Sequence, residues 1–349
     1  MKKLFSILTA LLVIGFWANT SAQVKISGDL QVRPRYDMKD YGDYGGVKND
    51  MYYMYRAQIN FKADIGDGWY TNIRLGHYNY AGYTFTNGLE ITRQFLPNPT
   101  VNFNLACFGY KTKNYGVGGG IYPINGIKNP MLDLHYYPTS PVDIPFAIKQ
   151  LNNVFGFQGW VNLGPGKLHV SSMLTGNGFY QEDASGNVVE DTHDTYVLGF
   201  DYAMKVAGFS IQPVLLYTYA NDNNPAPITY GVNIATPKFG GFGFGVSAGY
   251  TSNSADSTQE YNAMLARFKV TGKVGPGTVI FWYDYAKTTY VYSGSSDVDE
   301  NFGYIWAAYK VALSKHVTAM PRVRILSDKI DNSKDYRRTK AEILFIAKF

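Results

Sequence analysis

A single cysteine, Cys107, stands in 349 residues. It has no partner for an intramolecular disulfide and cannot by itself build a zinc site. Charge of one sign is also scarce. Setting aside Lys2 and Lys3, 30 basic residues face 27 acidic ones, fewer positive charges than a nucleic-acid binder concentrates. Beyond Trp17 no long apolar run returns. A spanning helix needs about 20 consecutive apolar residues, so a helical membrane protein is excluded. Leu, Ile and Val are too sparse for the large aliphatic core of a soluble domain of this length.

Tyrosine and glycine are plentiful instead: 30 Tyr, 36 Gly and 16% aromatic residues overall. The chain starts with an export address. Lys2 and Lys3 precede an apolar run from Leu4 to Trp17, and small residues follow as far as Ala22. That order predicts a secretory signal peptide over 1–22, with cleavage after Ala22 and a mature domain over 23–349.

Alternation is the main signal. Tyr53, Tyr55, Ala57, Ile59, Phe61, Ala63 and Ile65 interleave with Met54, Arg56, Gln58, Asn60, Lys62 and Asp64. Successive side chains of a strand point to opposite faces, so this segment has one apolar and one polar face. A helix would scatter the same charges around its axis. Similar runs start at Val24, Phe155, Phe209 and Ala341. Each is about ten residues, enough for a tilted strand to cross a bilayer.

Tight turns are expected at Gly66-Asp67-Gly68, Lys113-Asn114, Gly164-Pro165-Gly166, Ala207-Gly208, 238–241, 273–277 and Ser314-Lys315. Longer polar loops fall at 39–50, 82–99, 178–192, 221–226, 252–258, 290–300 and 328–335. Short turns on one rim and long loops on the other predict an all-β, antiparallel transmembrane barrel with short periplasmic turns and long extracellular loops. The hairpins count to sixteen strands with both termini periplasmic; the segment 82–122 leaves fourteen and eighteen open. Tyr53, Tyr55, Tyr78, Tyr80, Tyr217, Tyr219, Tyr250, Tyr283 and Tyr285 are expected in an outer aromatic girdle. Trp69, Phe209, Phe242 and Phe349 are expected in an inner one. The segment 123–152 carries five prolines and follows the fifth strand, too long for an ordinary loop.

With these features the chain resembles the porin class of Gram-negative outer-membrane proteins. The likeness rests on the signal peptide, the alternating hairpins through Gln23–Phe349 and the terminal Phe349, and it is one of pattern. Phe349 resembles the assembly signal read by the barrel-assembly machinery. The resemblance implies the cell outer membrane as location, contact with its lipid and lipopolysaccharide, and a homotrimer. It also implies that 123–152 folds inward as a pore-constricting loop. That loop offers Asp133 and Asp143 beside Lys128 and Lys149, where porin loops carry more acids.

The inward faces then present Arg33, Arg35, Arg56, Arg74, Arg322, Arg324 and Arg338, on strands that closure of a barrel makes neighbours. A basic wall concentrates anions in a narrow aqueous pore. The function expected is a passive channel for small hydrophilic solutes or ions with mild anion preference. In the competing reading, the arginines pair with Asp29, Asp64 and Glu342 and leave an unselective wall. A non-conducting structural or accessory barrel, or an adhesin, is the alternative function. Bulky Trp160, Trp282 and Trp306 on inward faces argue for a tight bore.

No catalytic or cofactor motif competes. Gly245-Val246-Ser247-Ala248-Gly249 matches a nucleophile elbow, but lies inside a strand where no turn exposes the serine. Gly243-Phe244-Gly245 lacks the βαβ unit of a dinucleotide site. The five histidines stand singly, and Asp297-Val298-Asp299-Glu300 lacks the spacing of a calcium loop. His193 and Asp194 are strand neighbours that point apart. No enzyme, cofactor, metal or nucleic-acid partner is expected.

Overall fold

The computed structural model describes residues 23–41, 46–81, 85–86, 89–90, 101–123, 153–176, 180–182, 185, 188–190, 195–220, 227–253, 260–291, 296–331 and 335–349. Residues 1–22, expected to direct export, lie outside them. So does 124–152, which holds Lys128, Asp133, Asp143 and Lys149.

Sixteen strands close into one antiparallel barrel. They are β1 (Gln23–Asp40), β2 (Val47–Gly66), β3 (Trp69–Ala81), β4 (Asn102–Lys111), β5 (Tyr115–Pro123), β6 (Asn153–Leu163), β7 (Gly166–Gly176) and β8 (Thr195–Val206). The circuit continues through β9 (Phe209–Ala220), β10 (Ile228–Ala235), β11 (Phe242–Asn253), β12 (Glu260–Val274), β13 (Gly277–Val291), β14 (Val298–Ala312), β15 (Val317–Ile330) and β16 (Tyr336–Lys348). Each strand pairs with its neighbours in sequence, and β16 returns to β1 with Leu30 opposite Ala347 and Arg35 opposite Glu342. Two short hairpins, Phe85–Thr86 with Leu89–Glu90 and Tyr180–Glu182 with Val188–Glu190, stand apart from the barrel sheet. The segment that left the count open supplies β4 and β5. Pro123, expected outside the sheet, ends β5 opposite Asn153.

The turns at 67–68, 112–114, 164–165, 207–208, 236–241, 275–276 and 313–316 all lie on one rim, with Gln23 and Phe349. Their residues explain their tightness. Asp67 and Gly68 have φ of 51° and 88°, and Ala207 and Gly208 have 50° and 83°. Two successive left-handed residues make the hairpin turn whose twist matches the strands it joins.

Alternation becomes inside and outside. On β1, Val24, Ile26, Leu30 and Val32 are exposed while Gln31, Arg35 and Asp37 are buried. On β2, Tyr53 and Ile59 are exposed while Tyr52 and Met54 are buried. The outward set continues through Phe157, Leu215, Val246, Phe268, Ile325 and Ile343. An apolar exterior is what lipid demands, and closure leaves no unpaired edge inside it. Tyr53, Tyr217, Tyr219 and Tyr283 are exposed as a girdle requires. The side chains of Tyr78 and Tyr80 lie outside the described residues.

Three prolines sit inside strands of a sheet without edges. Pro34 keeps its pairing with Tyr53 of β2, while the ladder to β16 is interrupted between Val32 and Arg35. Pro213 pairs with Val232 of β10 where the β8 ladder has a gap. Pro321 pairs with Ile343 of β16 where the β14 ladder has one. Proline has no N–H to donate, so each removes pairing on one side only.

Candidate pore-lining site

The inward face of the seam between the first and last strands carries the densest charge. Arg33 and Arg35 belong to β1, Arg322 and Arg324 to β15, and Glu342 to β16 between them. All four guanidiniums converge on that one carboxylate. Arg35 Nη2 lies 2.8 Å from Glu342 Oε2 and Arg33 Nε 3.7 Å from the same oxygen. Arg322 Nε and Arg324 Nη2 both donate to Oε1. The side chain of Glu342 has 0% exposure, while Arg33 and Arg324 retain 12% and 15%. Four cations around one anion leave three positive charges in excess.

A second knot adjoins the first. Arg338 reaches Asp37 with two bonds, Nε to Oδ1 at 2.7 Å and Nη2 to Oδ2 at 2.5 Å. Tyr52 links the two knots: its hydroxyl donates to Asp37 Oδ2 at 2.8 Å and accepts from Arg35 Nη1 at 3.2 Å. Lower on the wall, Arg56 donates to Asp29 at 2.9 Å, and Arg74 donates to Asn60 Oδ1 at 2.6 Å.

The seven arginines expected inside do not form one ladder. Five belong to the linked knots; Arg56 and Arg74 stand below them. Asp29 and Glu342 do pair with arginines, but Asp64 accepts the Gly66 N–H at 3.1 Å instead. Pairing does not cancel the charge, because Glu342 is shared four ways.

Sequence reasoning missed Asp37 and Tyr52. Their signal was present, since Asp37 continues the inward parity of Arg33 and Arg35, and Tyr52 that of Met54. It also missed Arg267, whose Nε and Nη2 meet Asp284 at 2.5 and 2.8 Å on adjoining strands β12 and β13. Beside that pair, Trp282 stacks on Trp306 with centroids 4.1 Å apart and planes 11° apart. Arg267 Cζ lies 5.0 Å from the Trp282 ring centroid, a cation–π contact.

Strands β5 and β9–β11 carry no charged side chain, whereas β7 and β8 bring His169 Nδ1 within 2.8 Å of the buried Asp201. On β5 and β9–β11 the inward positions include Gly116, Gly118, Tyr122, Gln212, Val214, Leu216, Thr229, Asn233, Ser247 and Thr251. Strands β8 and β9 lie half the circuit away from β16 and β1. Val197 and Leu216 on those strands are buried. Among the described residues no group of His, Cys, Asp and Glu could hold a metal ion.

No family model matches the chain. No curated protein matches it either. Solved structures do. An anion-selective porin from Comamonas acidovorans superposes with a TM-score of 0.59 at 13% identity, covering 94% of this chain and 100% of that one. The outer-membrane channel DcaP of Acinetobacter baumannii gives 0.59 at 14% identity, with 95% and 99% covered. The trimer form of OmpT, an outer-membrane protein of Vibrio cholerae, gives 0.56 at 8% identity, with 94% and 99% covered. These likenesses concern the backbone, and they span nearly the whole of each chain. The chain has the barrel fold of Gram-negative outer-membrane porins.

Proposed function

We propose that this protein is a passive channel of the outer membrane that favours small anions. The observation that carries the reading is the arginine wall: four guanidiniums held around one glutamate inside a closed barrel. A low-dielectric wall with excess positive charge raises the local concentration of anions and slows cations. The anion-selective porin among the fold neighbours supports the same direction. Arg33, Arg35, Arg56, Arg74, Arg322, Arg324 and Arg338 are the selectivity residues in this reading. No catalytic step is assigned to any residue.

Transit would be narrowed by 123–152, the segment that carries Lys128, Asp133, Asp143 and Lys149. Residues 1–22 would direct export and be removed, leaving 23–349 as the barrel domain. Phe349 would present the chain to the barrel-assembly machinery. Lipid and lipopolysaccharide would surround the apolar belt. Three copies would associate, a reading supported by the trimer form known for OmpT.

Reconstitution into a planar bilayer tests the proposal. Discrete conductance steps in KCl are expected, with triplet steps if the protein is a trimer. A barrel that inserts without conducting would favour the accessory or adhesin alternative.

A further inference from the structure

The Glu342 carboxylate sits where four guanidiniums converge. Each of its oxygens is met by two guanidiniums: Arg33 and Arg35 on Oε2, Arg322 and Arg324 on Oε1. Those arginines come from strands on either side of β16, so the neighbours converge on the carboxylate by strand register alone. Arg322 stands opposite Glu342 in the β15–β16 ladder, and Arg35 stands opposite it in the β16–β1 ladder. Its side chain is inaccessible, whereas Arg33 and Arg324 still reach the bore.

We infer that Glu342 is the resident occupant of an oxyanion site, and that it sets how weakly the lumen holds carboxylate and phosphate ligands. Guanidinium forks match carboxylate and phosphate oxygens geometrically, and four of them would otherwise clamp such an ion. A channel must bind its ion strongly enough to admit it and weakly enough to release it. The tethered carboxylate engages the guanidiniums internally and leaves their surplus charge to act on passing ions. Anions are then attracted without being trapped. The inference deepens the channel reading and rests on it only for the conductance measurement; the binding measurement stands alone.

Two variants separate competition from net charge. E342Q removes the resident carboxylate and one negative charge. R322Q/E342Q removes it at constant net charge, which also protects folding against unbalanced arginines. Inorganic phosphate is the probe, titrated into the detergent-folded full barrel while its thermal unfolding is followed, and then added during bilayer recording. Both variants should bind phosphate about tenfold more tightly than the parent, the scale of one charge-assisted hydrogen bond. Phosphate should also block their current at correspondingly lower concentration. The inference fails if R322Q/E342Q responds to phosphate as the parent does, since affinity would then follow net charge alone. It fails equally if neither variant gains phosphate binding. If the variants bind phosphate but no form of the barrel conducts, the oxyanion site stands and the channel reading falls.

Discussion

The phenyl ring of Phe349 lies where a β-carbon on Gly28 would have to stand, on the outer face of the seam where the barrel closes. The two residues also exchange backbone hydrogen bonds, Gly28 N to Phe349 O at 2.9 Å and Phe349 N to Gly28 O at 3.2 Å. The last residue of the chain is thus seated by a glycine near the beginning of the barrel.

Gly28→Ala should therefore disturb closure. The added methyl would meet both the Phe349 ring and the carbonyl oxygen of Gln58, 2.6 Å from the ideal Cβ position. Overpacking of this kind costs about 1–3 kcal/mol. Urea unfolding of the barrel in lipid vesicles should show a lowered midpoint, whereas Gly243→Ala, with nothing nearer than 3.6 Å, should leave it unchanged.

How much of this was legible in the sequence depends on contrast between faces. On β1, β2 and β16 one face is apolar and the other charged, so parity alone put Arg35, Arg56 and Arg338 inside. On β12 both faces are apolar for several residues: Ala263 and Leu265 are buried while Met264 and Phe268 are exposed. No alternation survives there, and Arg267 was invisible. Partners were illegible for another reason. Arg338 and Asp37 are 301 residues apart, and Glu342 and Arg35 are 307 apart. Only the closing register, fixed by pairing rather than by local pattern, brings them together. The long segment 123–152 was legible as unusual, but the placement of 124–152 lies outside the described residues.

The face assignment itself predicts opposite outcomes at neighbouring positions. Val246 is exposed on the outer face of β11, and Ser247 is buried on the inner one. An arginine facing lipid near the bilayer midplane costs about 2–4 kcal/mol, while one facing the lumen costs far less. Val246→Arg should lower the unfolding midpoint in lipid strongly. Ser247→Arg should fold and narrow the bore, reducing single-channel conductance. Equal destabilisation by both would contradict the alternation.

Asp37 and Arg338 form a buried two-bond pair, with side-chain exposures of 3% and 11%. Removing one partner leaves the other uncompensated, a loss of roughly 3–5 kcal/mol. Asp37→Asn should destabilise by that order, measured by denaturant unfolding. The double change Asp37→Asn with Arg338→Gln should recover most of it, because no isolated charge remains.

Trp282 of β13 and Trp306 of β14 stack on each other, and both are buried. Trp306→Ala should raise single-channel conductance by removing bulk from the lumen, with a stability cost of at most about 3–5 kcal/mol. Unchanged conductance would mean that ions pass elsewhere than along this wall.

The most direct test of the account is the reversal potential of the reconstituted barrel in a KCl gradient. With an arginine wall whose charge Glu342 only partly offsets, the potential should take the sign of chloride preference. It should move toward zero in Arg324→Gln. A potential of cation sign in the parent protein would contradict the anion-selective reading outright.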